Sequence, residues 1–329
     1  MAVSMADITK LRKMTGAGMM DCKNALTAAE GDFDKAMKII REKGQAVAAK
    51  RSDREASEGC VLTKVADGFA AIIALKCETD FVAKNEDFVK LTQDILDAAI
   101  ANKCKSLEEV LSLPLGDATV AQAVTDRSGI TGEKMELDGY KFLEGENIAV
   151  YDHMNRHILC TMVQTNLPAA EQAHEIAMQV AAMNPVALDE DSVPQSVKDN
   201  ELTVAIQKTK EEQVKKAVEA ALKKAGFNLY TAENEEHLNE GVMKGHITEA
   251  QAEEIRQLKA KVAEEKAANL PEQMIQNIAN GRMSKFFKEV CLLKQEYVQD
   301  AKMTVADYLK SANKDLTVVA FHRFTLRAE

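Results

Sequence analysis

The sequence predicts an α+β protein in which a small helical module precedes two sheet-containing subdomains and a long helical hairpin. Three patterns lead to this prediction: amphipathic helical periodicity near the amino terminus, two apolar hairpins that are each followed by a helix, and a long Lys-, Glu- and Ala-rich stretch almost free of β-branched clusters. At 329 residues the chain is long enough for two or three domains of ordinary size.

The amino-terminal region contains three short amphipathic pieces, at residues 8–14, 20–29 and 32–43. In the third piece Phe33, Met37 and Ile40 share one helical face, while Asp32 can cap its start and Gly44 can end it. We therefore expect a three-helix bundle, and we assign residues 1–55 to it together with a linker. The linker region, residues 44–57, is helical or extended.

The middle of the chain shows the pattern of a hairpin followed by a helix twice. Residues 60–65 and 69–77 flank an Asp-Gly turn signal and precede a helix at 87–101; residues 148–151 and 157–164 form a second hairpin, followed by a helix at 171–182. A strand at 316–326 should complete the second sheet. These patterns predict two related α+β subdomains with antiparallel sheets, at residues 56–145 and 146–329.

The second subdomain is interrupted by a helical hairpin at about residues 200–270. Apolar positions form one narrow stripe that includes Val214, Val218 and Leu222, and another formed by Ile255, Leu258 and Val262. Thr248 and Gln251 have the spacing of a capping box. Narrow stripes are typical of a two-helix antiparallel coiled coil that projects from a globular body.

Composition and charge exclude several classes of protein. The 42 Lys and Arg against 52 Asp and Glu give a net charge of −10, which argues against nucleic-acid binding through the whole surface. The basic stretch at residues 34–54 is more typical of a solvated helix face than of an RNA contact. The six scattered cysteines indicate reduced, mostly buried thiols, with neither a disulfide framework nor a zinc site. No signal peptide or membrane-spanning run is recognisable, so we expect a soluble cytoplasmic protein.

Motifs for catalysis are missing from the sequence. It contains no phosphate-binding P-loop, no dinucleotide fingerprint, no nucleophile elbow and no HExxH or EF-hand pattern. The six histidines include no pair at a reliable metal-ligand spacing. We therefore expect a binding or regulatory protein without an active site, a cofactor or a metal of its own.

One segment looks unlike an ordinary strand exit. Residues 77–88, CETDFVAKNEDF, follow a buried apolar run and contain a threonine, an acid and an aromatic ring at a predicted strand-to-helix junction. Thr79, Asp80 and Phe81 could present a wedge to a partner, with the ring entering an apolar slot. Alternatively, this is a capped helix start in which Phe81 belongs to the core.

Two motifs stand out in the sequence, LRKMTGAGMMDCKNAL at residues 11–26 and CETDFVAK at residues 77–84. They resemble the amino-terminal and core signatures of the elongation factor Ts family, whose members exchange guanine nucleotide on elongation factor Tu. Both occur in the family's order and spacing. The resemblance implies an amino-terminal bundle similar to ubiquitin-associated domains. The chain departs from many relatives in a longer hairpin, with residues 211–268 as extra length.

The resemblance also implies the partner and the contacts. It implies binding to elongation factor Tu, both GDP-bound and nucleotide-free, and it leaves open whether the complex is one-to-one or a dimer of such pairs. From charge and hydropathy we expect no direct contact with nucleic acid or with a membrane. Phe81 would insert near the bound magnesium and Asp80 would disturb the magnesium site, in a turn formed by Thr79, Asp80, Phe81 and Val82. The other implied contacts are Leu11, Arg12, Thr15, Gly16, Met19, Met20 and His153. The alternative function is a scaffold or chaperone that recruits partners through its bundle and coiled coil.

Overall fold

Residues 3–327 are described by a computed structural model, in which helices combine with antiparallel sheets and confirm the predicted α+β class. The chain divides into two units. One unit comprises the residues up to Leu188 together with those from Glu296 onward, and the other is the inserted segment from Asp189 to Gln295. The subdomain boundaries that the sequence predicts within the first unit stay predictions.

The amino-terminal module consists of three helices. They are α1 (Met5–Thr15), α2 (Met19–Ala28) and α3 (Phe33–Lys50). Their buried side chains include Leu11, Cys22 and Leu26, which form a small core of their own. The expected helix end at Gly44 is wrong, because α3 continues through Gly44 to Lys50, and the first half of the predicted linker is therefore helical. The likeness to ubiquitin-associated domains stays a prediction.

The first sheet-containing subdomain follows the module. Its elements are β1 (Glu58–Ala66), β2 (Phe69–Cys77), α4 (Asp80–Ala83), α5 (Glu86–Ala101), α6 (Leu107–Ser112), β3 (Pro114–Leu115), β4 (Ala118–Thr119), α7 (Val120–Thr131) and β5 (Met135–Glu144). The sheet has the order β1-β2-β5 and both pairings are antiparallel. Sequence patterns did not reveal α6, α7 or β5, although β5 supplies the third strand.

Strand β2 is buried on both of its faces. Phe69 and Ile73 point into the cluster formed with α5 and its neighbours, whereas Ile72 and Ala74 belong to the cluster shared with the second sheet. This alternation follows from the two-residue period of a strand. The continuous apolar run that predicted a buried strand therefore reflects a strand covered on each side.

The second subdomain repeats this topology, and the inserted helical unit interrupts it. Its elements are β6 (Ile148–Asp152), β7 (Leu159–Thr165) and α8 (Ala170–Met183); then, within the insertion, α9 (Gln195–Lys224), α10 (Glu235–Met243), α11 (Glu249–Ala268) and α12 (Glu272–Val290); then β8 (Glu296–Tyr297), β9 (Asp300–Thr304), α13 (Val305–Ala312) and β10 (Val318–Thr325). The sheet order is β6-β7-β10, so the last strand completes the second sheet as predicted. In both sheets the returning strand pairs with the second strand of the hairpin.

The two sheets pack face to face through a shared cluster. Ala74 of the first sheet and Met162 of the second are fully buried in it, and Phe324 packs against them. Gly139 in β5 makes this contact possible, because a Cβ there would lie 2.5 Å from the Phe324 ring and 2.6 Å from the Ala74 Cβ. The core therefore spans both related subdomains.

The inserted helical unit is larger than the predicted hairpin. Helix α9 runs along both α11 and α12, so the segment after Pro271 also belongs to the hairpin. Arg282 of α12 and Glu212 of α9 form an ion pair of 2.7 Å. At the other end Leu222, Leu238 and Ile255 form a separate core that includes α10, which the sequence did not predict.

The module lies against the first subdomain through α3 and α7. The backbones of these helices approach most closely at Gly44 and Gly129. Beside this contact the Arg41 guanidinium lies 3.3 Å from the Asp126 carboxylate. Three cations of the basic stretch, Arg41, Lys43 and Arg51, pair with carboxylates of other elements.

We expect alanine substitution of the two glycines at this crossing to change the stability of the fold in different directions. A Cβ on Gly129 would lie 2.2 Å from the Gly44 Cα, whereas a Cβ on Gly44 would lie 3.6 Å from the Gly129 Cα. We expect Gly129→Ala to lower the free energy of unfolding by about 1–3 kcal/mol through overpacking. Gly44→Ala should be neutral or raise it by up to about 1 kcal/mol, because alanine is the better helix former.

Urea denaturation of the two variants and wild type measures both effects. Because each variant adds one methyl group at the same helix crossing, each serves as the control for the other. Equal destabilisation by the two substitutions would contradict the difference in space around the two Cβ positions.

Candidate functional site

The predicted contact turn lies where β2 ends and α4 begins. Thr79 is the N-cap of α4, and its hydroxyl oxygen accepts a hydrogen bond of 3.4 Å from the Val82 backbone N–H. Val82 and Ala83 pack against the core of the first subdomain. Phe81 lies on the opposite side of this single turn. We refer to residues 79–82 as the TDFV turn.

Phe81 is 84% exposed to solvent. The other nine phenylalanines are all buried or half-buried. A capped helix start is therefore present, but the alternative in which Phe81 belongs to the core is wrong. An isolated aromatic ring on a fixed turn has the chemistry of an anchor for an apolar pocket in a partner.

Glu133 holds the turn in place from a distant part of the chain. The backbone N–H groups of Glu78 and Thr79 each donate to its Oε2 atom at 3.1 Å. The Thr79 hydroxyl donates to its Oε1 atom at 2.6 Å. Hydrogen bonds to a carboxylate are shorter and stronger than neutral ones, so this acceptor defines the direction in which the chain leaves β2.

Glu78 makes the reciprocal connection. Its carboxylate accepts the Lys134 backbone N–H at 2.6 Å and two hydrogen bonds from Arg51 Nη1, at 2.9 and 3.0 Å. The hydrogen bond from Lys134 and then the Arg51 charge hold the pKa of Glu78 below its ordinary value. Arg51 is the C-cap of α3, so this carboxylate also connects the module to the turn.

The Cys77 thiol at the end of β2 is unreactive. Burial, followed by the nearby negative charge of Glu133, raises the pKa of Cys77 to about 12. The protonated thiol donates to the Thr79 carbonyl at 3.2 Å. Cys77 therefore supports the turn rather than acting as a nucleophile.

Asp80 is accessible beside the exposed ring. Its carboxylate lies 2.6 Å from the Lys84 ammonium, one helical turn away; the lysine side chain is largely open to solvent and the aspartate side chain is half-exposed. The hydrogen bond from Lys84 lowers the pKa of Asp80, so the group is anionic at neutral pH. An exposed pair of this kind is weak, and a partner can replace its lysine.

Three of the predicted module contacts line a cleft next to the TDFV turn. Arg12, Thr15 and Gly16 border a cavity of about 580 Å³ whose other wall includes residues of α5 and Arg127. Arg127 Nη2 donates at 2.7 Å to the side-chain oxygen of Asn85, the N-cap of α5. Since α5 follows α4 after two residues, these contacts and the turn belong to neighbouring parts of one surface.

The remaining module residues separate into exposed and buried ones. Met19 and Met20 are exposed, and so are Met5 and Met14, which the sequence analysis did not select. Flexible methionines are common at adaptable binding surfaces. Leu11 is buried at the centre of the bundle, so we assign it to packing and omit it from the proposed partner contacts.

His153 lies at the end of β6, in the loop of the second hairpin. Its Nδ1 atom is 3.2 Å from the Tyr151 hydroxyl, which orients the half-buried imidazole. The Tyr151 ring also has an edge contact with His174 of α8, at 5.6 Å between ring centroids. The role of His153 as a partner contact stays a prediction.

Residues 3–327 contain neither a cluster of metal-ligating side chains nor a membrane-spanning helix. No group of three His, Cys, Asp or Glu side chains in this range could hold a metal ion. None of the helices in the described part of the chain is long and apolar enough to cross a membrane. All six cysteines are free and buried, as the sequence predicted.

Comparison with known proteins identifies the family of the chain. The family profile described as Elongation factor TS matches residues 78–328, a range that begins immediately before the TDFV turn. The chain belongs to the elongation factor Ts family. Membership in this family identifies it as a translation elongation factor, as the two sequence motifs indicated.

Curated relatives extend the match to the whole chain. The chain is 71% identical to "Elongation factor Ts" of Bacteroides fragilis and 65% identical to that of Bacteroides thetaiotaomicron, with complete coverage of both sequences in each case. It is 45% identical to the Porphyromonas gingivalis protein of the same name, again over all of both chains. These alignments therefore include the long helical hairpin and the amino-terminal module.

Phe81 and Phe88 offer a matched test of burial. Phe88, seven positions along the chain, is fully buried. We expect Phe88→Ala to lower the free energy of unfolding by about 3–5 kcal/mol, as removal of a core aromatic ring does. Phe81→Ala should change it by less than about 0.5 kcal/mol, as is usual for exposed sites. Denaturant unfolding of both variants measures the difference, and comparable losses would contradict an exposed Phe81.

The lowered pKa of Glu78 predicts a pH-dependent contribution to stability. Its carboxylate should stabilise the fold above its ordinary pKa of 4.5, and this contribution should disappear as the pH falls through the lower folded-state value. Since Glu78→Gln cannot ionise, its stability deficit should be largest at neutral pH and should shrink under acidic conditions.

Unfolding experiments across this pH range, with the exposed Glu236→Gln in the helical unit as control, measure that deficit. The control accounts for the general effect of removing one negative charge. A Glu78→Gln deficit that did not depend on pH would mean that the carboxylate charge contributes nothing at this junction.

Proposed function

We propose that this chain is the guanine-nucleotide exchange factor of elongation factor Tu. It binds the partner in its GDP-bound and nucleotide-free forms and accelerates GDP release, so that GTP can bind next. The family relationship supports the choice of partner, and the TDFV turn supports the mode of action. Action in the cytoplasm, without nucleic acid, membrane or cofactor, is part of the same proposal.

The exposure of Phe81 on a braced turn is the observation that carries the proposal. Most of the apolar Phe81 ring is in contact with water, so a partner that covers the ring would gain hydrophobic free energy. Glu133 and Thr79 limit the motion of the turn before binding, so little ordering entropy is lost on association. A scaffold protein needs no such ring beside an accessible carboxylate.

The mechanism assigns a different part to each side chain of the turn. Phe81 enters an apolar slot between helices of the partner's nucleotide-binding domain, near the bound magnesium. Asp80 exchanges its Lys84 pairing for groups around the magnesium site and so disturbs metal and phosphate binding. Thr79 and Val82 hold the turn in the conformation that presents these two side chains. No covalent bond forms, so the chain is not an enzyme in the usual sense.

Contacts elsewhere provide the binding energy for this disturbance. Arg12, Thr15, Gly16, Met19 and Met20 are the proposed contacts of the module with the nucleotide-binding domain. His153 is the proposed contact of the second subdomain with the partner's third domain. A factor that binds the nucleotide-free form more tightly must weaken nucleotide binding by the same coupling free energy, and each ~1.4 kcal/mol of coupling is tenfold in affinity.

Release of a fluorescent GDP from elongation factor Tu, followed by stopped flow, tests the proposal. We expect wild type to accelerate release and Phe81→Ala to lose most of this acceleration without losing stability. Met243→Ala is the control, because Met243 is 87% exposed but lies in the helical unit, far along the chain from the turn. The control should exchange as wild type does.

Asp80→Ala tests the assignment of roles within the turn. We expect a smaller loss of exchange than for Phe81→Ala, because the ring supplies the larger buried area. A larger loss would reverse the two roles. If wild type itself leaves GDP release unchanged, the exchange proposal fails and the scaffold or chaperone alternative replaces it.

A further inference from the structure

We propose that Glu133 is the positioning residue of the exchange reaction, which it controls by fixing the TDFV turn without contacting the partner. This inference rests on the proposed function for its consequence, but its geometric part concerns the isolated chain. Glu133 lies just beyond α7, outside both motifs that resemble family signatures.

Three hydrogen-bond donors at the end of β2 bind the Glu133 carboxylate. Two are the backbone N–H groups of Glu78 and Thr79, both bound to Oε2, and the third is the Thr79 hydroxyl, bound to Oε1. Because two adjacent backbone N–H groups point at one oxygen, the peptide planes on either side of Thr79 have a defined orientation. This orientation sets where α4 begins.

The Thr79 hydroxyl transmits this constraint to the helix. Its proton is committed to Glu133, and its oxygen is left to accept the Val82 N–H at 3.4 Å. Helix α4 has only four residues, which is too short to be stable through its own hydrogen bonds. The conformation that exposes Phe81 therefore depends on the acceptor supplied by Glu133.

Glu133 is itself held on a rigid corner. Gly132 ends α7 with φ of 75°, a left-handed conformation that favours glycine. The Glu133 N–H donates to the Thr131 hydroxyl oxygen at 3.3 Å, and the Ser128 hydroxyl donates to the Glu133 carbonyl. The Lys134 N–H donates to the Glu78 carboxylate, so the segment after α7 and the segment after β2 are connected in both directions. The carboxylate therefore has little freedom to follow a displaced turn.

The chemistry of the site distinguishes between possible replacements. Alanine removes the acceptor and leaves two backbone N–H groups without their partner. Glutamine has the same length, and its single oxygen can accept both N–H groups while its amide donates to the Thr79 hydroxyl oxygen. Glu133→Gln should therefore preserve the geometry that Glu133→Ala loses.

Hydrogen exchange of the isolated chain tests the geometric part. We expect Glu133→Ala to accelerate amide exchange of Glu78 and Thr79 by about tenfold or more, with the core strands unchanged, because opening is local. Glu133→Gln should remain close to wild type. Glu136→Ala is the matched control, since Glu136 is an exposed carboxylate three residues away that pairs with Lys134. Equal protection in wild type and Glu133→Ala would overturn the inference.

GDP release at increasing factor concentration tests the functional part. We expect Glu133→Ala to lower the maximal release rate roughly tenfold or more, since small misplacements of a reacting group have large effects on rate. The concentration for half-maximal effect should change less than about threefold, because the module contacts and His153 are untouched. Glu133→Gln should recover most of the rate.

The two experiments separate the possible failures. A loss that appears only as a smaller folded fraction, measured by circular dichroism, with an unchanged rate per folded molecule, would make Glu133 merely structural and overturn the inference. If wild type does not accelerate release, the proposed function fails, and hydrogen exchange alone then decides whether Glu133 positions the turn.

Discussion

Burial of β2 on both faces is the constraint on which the rest of the fold depends. Eight of its nine residues are buried, so each face of the strand needs its own apolar cover. Helix α5 and its neighbours cover one face, and the second sheet covers the other. Two related subdomains thereby share one core, with Gly139 providing the space for the Phe324 ring.

A strand buried on two faces needs a defined exit, because its last backbone N–H groups must find acceptors as the chain turns away. Here the acceptor is a carboxylate from another loop, and the reciprocal carboxylate of Glu78 accepts from that loop in return. These two carboxylates fix the path of the chain after β2, so no apolar packing around Phe81 is needed. Consequently, the fold can leave a large ring in water on a stable turn.

The same junction connects the turn to the amino-terminal module. Arg51 at the end of α3 binds Glu78, while the crossing at Gly44 and Gly129 places α3 directly against α7. Glu133 lies two residues after the end of α7. Helix α3 of the module therefore contacts the helix that places the Glu133 carboxylate. The proposed partner contacts on the module and the TDFV turn therefore lie on one continuous framework.

Local sequence patterns were sufficient to predict the three amino-terminal helices, both hairpins and the pair of long helices, since each depends on neighbours in the chain. The sequence also indicated the family through the motifs at 11–26 and 77–84. Only the tertiary structure decided that Phe81 is exposed, that Leu11 is buried, that α12 extends the hairpin and that β5 pairs with β2. Glu133 had no local signal, because the donors it binds lie 54 and 55 residues away in the chain and meet it only after folding.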